Sequence, residues 1–162
     1  MAKIPFLKKP AVKNILSALA VAFFGFILLN LIFIFDALFT GLIMLILNLF
    51  LKGDLFTQYP WLPAVMHVLF VIIISLISWL VFRSKLRVLF KAIYMTVPLA
   101  VVFVTIGMSL YSWPAISYLI GFLFAILVLY YFYRTKQPWI YYFTLILISL
   151  VMLIGAILGT EI

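Results

Sequence analysis

Very few side chains in this sequence could take part in acid–base, nucleophilic or metal chemistry. The 162 residues include three acidic side chains, one histidine and no cysteine. Disulfides, thiolate metal sites and cysteine nucleophiles are therefore excluded. The sequence also has no Gly-rich phosphate loop, His-Glu-x-x-His motif, Gly-x-Ser-x-Gly motif or pair of carboxylates. We predict no catalytic residue, no metal site and no cofactor.

One group of polar residues could still form a site. Asp36 and His67 could together hold a lipid headgroup or move a proton. Asn30 precedes Asp36 by six residues, about 9 Å along a helix. The alternative is that Asp36 caps a helix and His67 bonds a nearby carbonyl or water. The predicted cluster lies near the outer membrane boundary and consists of Asn30, Asp36, Asn48, Tyr59 and His67.

The composition indicates that lipid surrounds most of the chain. Seventy per cent of the residues are apolar and 9% are charged, whereas soluble domains have about 45–50% apolar and about 25% charged residues. The formal net charge is +8, but the basic residues stand in short clusters at the ends of apolar runs. That arrangement orients membrane helices and contacts anionic headgroups. It does not indicate a nucleic-acid partner.

Five apolar runs are long enough to cross a bilayer, which requires about 20 residues. We therefore predict an all-α, polytopic membrane protein in which residues 1–162 form a single integral membrane domain. The first run is too long for a cleavable signal peptide and is expected to be retained as a span. The predicted spans are residues 14–35, 64–82, 92–110, 115–133 and 139–158.

Residues 37–51 are apolar but short. Fifteen helical residues cover only about 22 Å, whereas the hydrocarbon core is about 30 Å thick. Asp36 precedes the run and would be a suitable N-cap. We therefore predict a bend near Asp36 and a short interfacial or re-entrant helix over residues 37–51. A short sixth span is the alternative.

A basic segment, residues 83–91, sets the predicted orientation. With five spans and this segment in the cytoplasm, every Lys and Arg except Lys52 falls on the cytoplasmic side. The N-terminus is then inside, the C-terminus outside, and the membrane is the cell membrane. Either the basic segment only determines topology, or it also binds anionic headgroups on the cytoplasmic side. The candidate headgroup contacts are Arg83, Lys85, Arg87 and Lys91.

The clearest packing pattern lies in the fourth predicted span. Ser117, Gly121 and Ala125 are small residues four apart, so they share one helix face. Such a face allows two helix backbones to approach closely. We predict a contact with another helix of the same chain at this face.

Two functions of different classes are compatible with these features. The first is a non-catalytic accessory, scaffold or assembly subunit whose partner is another membrane protein. The scarcity of ionisable groups favours it over an enzyme. The second is a small lipid-facing enzyme or carrier that uses the outer polar residues. A homo-oligomeric channel is a third, weaker alternative, because intramembrane pathways usually need charged or clustered polar groups.

Overall fold

The computed structural model describes residues 10–50, 59 and 61–158, and all regular secondary structure in these ranges is α-helical. Each helix is long and apolar enough to cross a membrane. The prediction of a multi-pass helical membrane protein with five spanning helices is therefore confirmed. The helices are α1 (Pro10–Phe50), α2 (Leu62–Arg83), α3 (Val88–Ser109), α4 (Pro114–Arg134) and α5 (Trp139–Ile157).

Four of the five helices have a proline at the N-cap or in the first two positions; in α1 it is Pro10, the first residue. Pro63 occupies the first turn of α2, Pro114 is the first residue of α4, and Pro138 is the N-cap of α5. Proline suits these positions because the first N–H groups of a helix have no intrahelical acceptor. The starts and ends of α2 to α5 all lie within four residues of the predicted ones.

The predicted separate helix over residues 37–51 is not observed. Helix α1 continues through Asp36 to Phe50, so residues 37–50 form its last part and not a separate interfacial helix; Leu51 lies outside the described residues. Nothing between Ala11 and Phe50 removes a backbone donor, because this stretch contains no proline. An N-cap at Asp36 would interrupt the ladder of backbone hydrogen bonds in apolar surroundings, where unpaired groups are costly.

Helix α3 lies at the centre of the bundle and packs against the other four helices. Two fully buried threonines mark its crossings. The Thr96 hydroxyl donates to the Ile93 carbonyl at 2.8 Å and lies 3.5 Å from the Gly25 carbonyl of α1. The Thr144 hydroxyl of α5 lies 3.4 Å from the Ala92 carbonyl. Small and hydroxyl-bearing side chains thus allow α1 and α5 to approach α3 closely.

The second half of α1 packs against α2. Phe70 is buried, with Phe35 and Phe39 at ring-centroid distances of 6.3 Å. Closer to the end of α1, buried Leu62 and Met66 of α2 are covered by Ile43, Met44 and Leu47. These contacts give the continuation of α1 beyond Asp36 a packing partner.

Helix α4 is the most peripheral helix, since Phe132 is its only buried residue. The Phe132 ring lies 6.0 Å from the Tyr141 ring and 5.6 Å from the Tyr142 ring. These residues lie at the end of the bundle that also carries the basic segment, which is called here the basic end; the opposite end is the far end. Helix α4 is therefore held at its basic end and packed more loosely towards the far end.

Candidate functional site

The single histidine is held by a threonine on the neighbouring helix. His67 Nε2 lies 3.0 Å from the hydroxyl of Thr105, and that hydroxyl donates to the Val101 carbonyl at 2.7 Å. A hydroxyl has one proton. With that proton donated to Val101, the Thr105 oxygen accepts from His67, which corresponds to the tautomer protonated at Nε2 and leaves Nδ1 for another partner.

Asp36 is the only acidic residue within the spanning helices. It lies beside the same α1–α2 contact as His67, because Phe35 and Phe39 pack against Phe70, and both side chains are half-buried towards the far end of the bundle. No hydrogen bond or ion pair joins these two described side chains directly. The structure thus brings Asp36 and His67 to one side of the α1–α2 contact, and Thr105 of α3 is hydrogen-bonded to the His67 ring. We call Asp36, His67 and Thr105 the far-end polar cluster.

The other three residues of the predicted site make no described hydrogen bond to Asp36, His67 or Thr105. Asn30 is exposed and donates to the Phe26 carbonyl of its own helix at 2.8 Å. Six residues separate it from Asp36, which places the two about 120° apart around the helix. Asn48 is exposed, 12 residues beyond Asp36 on α1. Tyr59 packs with Trp61 at a centroid distance of 5.9 Å and covers Met66.

Thr105 was missing from the predicted site, although its spacing contained a signal. The pairs His67–Thr105 and Ser78–Tyr94 are 38 and 16 residues apart, and both are centred on Leu86. Helices that form an antiparallel pair around a short turn place such residues at equal depth. Pairing the polar residues of α2 and α3 about the basic segment would therefore have identified Thr105.

The basic segment, residues 83–91, contains the turn between α2 and α3. Two of its cations contact the end of α2. Lys91 donates from Nζ to the Phe82 carbonyl at 2.7 Å, which supplies a donor to one of the last carbonyls of α2, where no further helical N–H is available. The Arg83 guanidinium lies 5.2 Å from the centre of the Trp79 ring. Lys85 and Arg87 are exposed. Of the four predicted headgroup contacts, Lys85 and Arg87 are therefore the most open to an external anion.

The three small residues of α4 line a cavity. Ser117, Gly121 and Ala125 are all half-buried on the side of α4 that faces the bundle. The atom nearest to a side chain added at Gly121 would be in the Phe103 ring, 3.6 Å away. The space between helices α3, α4 and α5 has a volume of about 210 Å³, and we call it the α3–α5 cavity. Its lining includes Phe103 and Gly107 of α3, Gly121 and Ala125 of α4, and Ser149 and Met152 of α5.

The far-end polar cluster has a limited chemical repertoire. His67 can accept a proton at Nδ1, and the Asp36 carboxylate can attract a cation or the cationic part of a headgroup. Within residues 10–50, 59 and 61–158, no group of three His, Cys, Asp or Glu side chains is placed to hold a metal ion. The cluster is therefore suited to binding or to proton movement.

Comparisons with known proteins found no relative. No family model matches the chain, and no curated protein or solved structure is significantly similar to it. The architecture itself gives the assignment: the chain is a multi-pass membrane protein built on five apolar helices.

Proposed function

We propose that this protein is a membrane-embedded accessory or scaffold subunit that binds another membrane protein through the far end of α1. The observation that carries the proposal is the length of α1. Gly25 packs against Thr96, and Gly25 lies 25 residues before the end of α1 whereas Thr96 lies 13 residues before the end of α3. After this crossing α1 therefore has about 12 residues more than α3, about 18 Å of helix.

The last part of α1, residues 38–50, is apolar on faces that the other described helices leave open. Leu42, Leu45 and Leu49 are exposed, Leu49 to 75%. Exposed apolar surface of this extent marks an interaction site when water or headgroups would otherwise cover it. A partner with an apolar helix face of its own would cover these residues.

The bilayer core is too thin to cover the whole length of an upright α1. Helix α3 has 22 residues, about 33 Å, and so already spans a hydrocarbon core of about 30 Å. Helix α1, with 41 residues, is about 62 Å long. To fit within the core it would have to tilt by about 60°, beyond the usual range of 0–40°.

The proposed orientation is N-terminus in the cytoplasm and C-terminus outside, in the cell membrane. Five crossings would put residues 1–13, the basic segment and residues 134–136 on one side, and these hold ten of the eleven Lys and Arg residues. Lys85 and Arg87 would then contact anionic headgroups of the cytoplasmic leaflet. Single-cysteine variants at Asp54, Ser84, Lys136 and Thr160 test this orientation in a chain without native cysteine. An impermeant thiol reagent added to intact cells should label only positions 54 and 160.

The partner proposal is tested by photocrosslinking in intact membranes. A photoreactive amino acid at Leu49 should give one crosslinked species of defined mass, confirmed by native mass spectrometry as a stoichiometric protein complex. The same amino acid at Leu127, which is 66% exposed on α4, should label lipid only. The additional substitution Leu45→Asn should abolish the protein crosslink at position 49. Crosslinks to lipid alone at both positions would contradict the proposal.

The second candidate function is a lipid-binding enzyme or carrier that uses the far-end polar cluster. The position of Asp36 and His67 beside the same α1–α2 contact supports it, since a carboxylate and an imidazole can together hold a zwitterionic headgroup. This function predicts that one lipid class co-purifies with the protein and that Asp36→Asn reduces its amount. Ser75→Ala, a change at an exposed residue of α2, is the control. A co-purified protein partner without an enriched lipid would favour the accessory subunit.

A further inference from the structure

Asn30 is an exposed amide side chain on α1 that the described part of the chain satisfies only in part. Its Nδ2 donates to the Phe26 carbonyl at 2.8 Å, and this is the only hydrogen bond that its side chain makes with the described residues. An asparagine side chain has two N–H donors and one carbonyl oxygen. One N–H and the carbonyl oxygen of Asn30 therefore have no partner within the described structure.

Hydroxyl groups on the neighbouring helices do not have this deficit. Ser75 of α2 and Thr105 of α3 each donate their single proton to the carbonyl four residues earlier, both at 2.7 Å. Such back-bonding uses the only donor of a hydroxyl, whereas the same bond uses one of the two donors of an asparagine and leaves its oxygen free. Asn30 thus keeps the capacity to bind a second partner.

Asn30 also lies deep within the membrane-spanning part of the bundle. Gly25 packs against Thr96, and α1 and α3 run in the same direction because α2 crosses back between them. Asn30 is therefore roughly level with Val101, which is about 20 Å from the start of α3 and about 12 Å from its end. At that depth lipid tails offer neither donors nor acceptors, and water is absent. A partner for the amide must come from a protein.

The face of α1 that carries Asn30 points away from the other described helices. Phe23, Ile27 and Ile34 are 63%, 40% and 56% exposed, and together with Asn30 they follow one another at spacings of four, three and four residues. That spacing forms the seam between two helices packed side by side. Gly25, which is buried against α3, lies on the other side of α1. A second helix can therefore reach Asn30 without displacing the bundle.

We propose that α1 pairs with α1 of a second copy of this chain, and that the two Asn30 amides hydrogen-bond to each other. A twofold axis along the membrane normal places Asn30 of each copy at the same depth and opposite its equivalent. An amide suits this position because it both donates and accepts, so two asparagines can form reciprocal bonds. An asparagine in an apolar seam fixes the register of paired helices in the same way. The pairing uses the middle of α1 and is independent of the partner that residues 38–50 would bind.

Association of the purified full-length protein in phosphatidylcholine vesicles tests the pairing, because no other protein is then present. Copies with a donor or an acceptor dye attached through Thr160→Cys report energy transfer as added lipid dilutes the protein. Asn30→Leu should move the midpoint of dissociation to a roughly tenfold higher protein-to-lipid ratio, the effect of interhelical hydrogen bonds in a membrane. Asn30→Gln keeps the amide and should retain most of the association. Ser75→Ala, at an exposed polar residue of similar depth on α2, should leave the midpoint unchanged.

Disulfide trapping in this cysteine-free chain maps the paired face without dyes. Phe23→Cys and Ile34→Cys should each give a disulfide between two copies on mild oxidation. Phe24→Cys is the matched control, since Phe24 is 53% exposed and adjacent to Phe23 but lies about 100° further around the helix. This variant should remain monomeric. Adding Asn30→Leu to Ile34→Cys should reduce the disulfide-linked fraction severalfold.

Three results would overturn the proposal. They are equal association with asparagine and leucine at position 30, equal disulfide formation at positions 23 and 24, and a purified protein that stays monomeric at every protein-to-lipid ratio. If Ile34→Cys in native membranes crosslinks to a different protein and not to a second copy, the partner at this face is another subunit and the proposed pairing is wrong. Asn30 is exposed, so thermal unfolding of its variants in detergent should match that of the parent protein. The comparison of positions 23 and 24 leaves Asn30 in place and decides the matter even if it does not.

Discussion

Gly25 and Gly121 both face α3, but the helices approach closely at Gly25 and leave space at Gly121. A Cβ at Gly25 would be 2.6 Å from Cγ2 of Thr96, closer than real side chains approach. A Cβ at Gly121 would be 3.6 Å from the Phe103 ring, an ordinary contact distance. Gly25 thus lies at a close crossing of α1 and α3, whereas Gly121 lies beside the α3–α5 cavity.

The two contacts differ because of the residue that α3 presents on each side. Thr96 is short and lets the α1 backbone approach until the Gly25 carbonyl is 3.5 Å from its hydroxyl. Phe103 is long, and its ring stands between α3 and α4 against Phe124 at a centroid distance of 5.4 Å. A small residue therefore gives a close crossing only when the facing side chain is also small.

The largest loss of stability is expected at the basic end of α4, where its buried side chain packs against α5. Phe132→Ala removes the only buried side chain of α4, which is 6% exposed. We expect a loss of about 3 kcal/mol in the free energy of unfolding, the lower part of the range for a buried phenylalanine, because lipid can replace some of the contacts. Thermal unfolding in detergent measures it. Phe122→Ala, on the exposed face of the same helix, should change stability by less than about 0.5 kcal/mol. Equal effects of the two variants would mean that α4 packs along its whole length.

The close crossing at Gly25 is tested by adding a single methyl group. Gly25→Ala should destabilise the protein by about 1–3 kcal/mol, because the new Cβ overlaps Thr96 Cγ2. The second change Thr96→Ser removes that methyl group and should recover part of the loss. Gly121→Ala is the matched control and should be neutral or slightly stabilising, since alanine is preferred to glycine in helices by about 0.5–1 kcal/mol. A larger loss at Gly121 than at Gly25 would reverse the comparison.

A smaller effect is expected at the far end of α3, where Thr105 connects it to α2. Thr105→Val removes the oxygen that accepts from His67 Nε2 at 3.0 Å. We expect a loss of about 1 kcal/mol in the free energy of unfolding, the usual net contribution of one hydrogen bond, and thermal unfolding measures it. Thr105→Ser keeps the oxygen and should retain most of the stability. If valine and serine behave alike, the hydrogen bond does not hold the helix pair together.

The smallest expected effect is a gain at the turn that follows α4. Lys136 has a φ of 51°, and the N–H groups of Lys136 and Gln137 close the helix on Tyr133 and Phe132. This is the Schellman arrangement, in which glycine normally occupies the left-handed position. Lys136→Gly should stabilise the protein by up to about 1 kcal/mol in thermal unfolding. Lys136→Ala keeps a Cβ and should give no gain. A loss on Lys136→Gly would show that the lysine side chain itself contributes more than the strain costs.

The sequence by itself determined the class of the protein and most of its helix limits. Apolar runs of about 20 residues separated by Lys, Arg and Pro predict spanning helices, because length and the absence of charge are local properties. The prolines at positions 63, 114 and 138 indicate helix starts, because a proline lacks the N–H that has no intrahelical acceptor there. His67 and Asp36 could be selected as polar residues at one end, since depth in a membrane follows from position along a helix.

Only the tertiary structure decided which side chains meet. It showed that α1 continues through Asp36, because Ile43, Met44 and Leu47 find a packing partner in α2. It also showed that Asn30 points away from Asp36 and that Thr105 binds His67. The close crossing is at an isolated glycine, and the small-residue pattern lines a cavity. Such contacts depend on the rotation and relative height of each helix, which are set by pairs of side chains on different helices, and no single helix sequence contains that information.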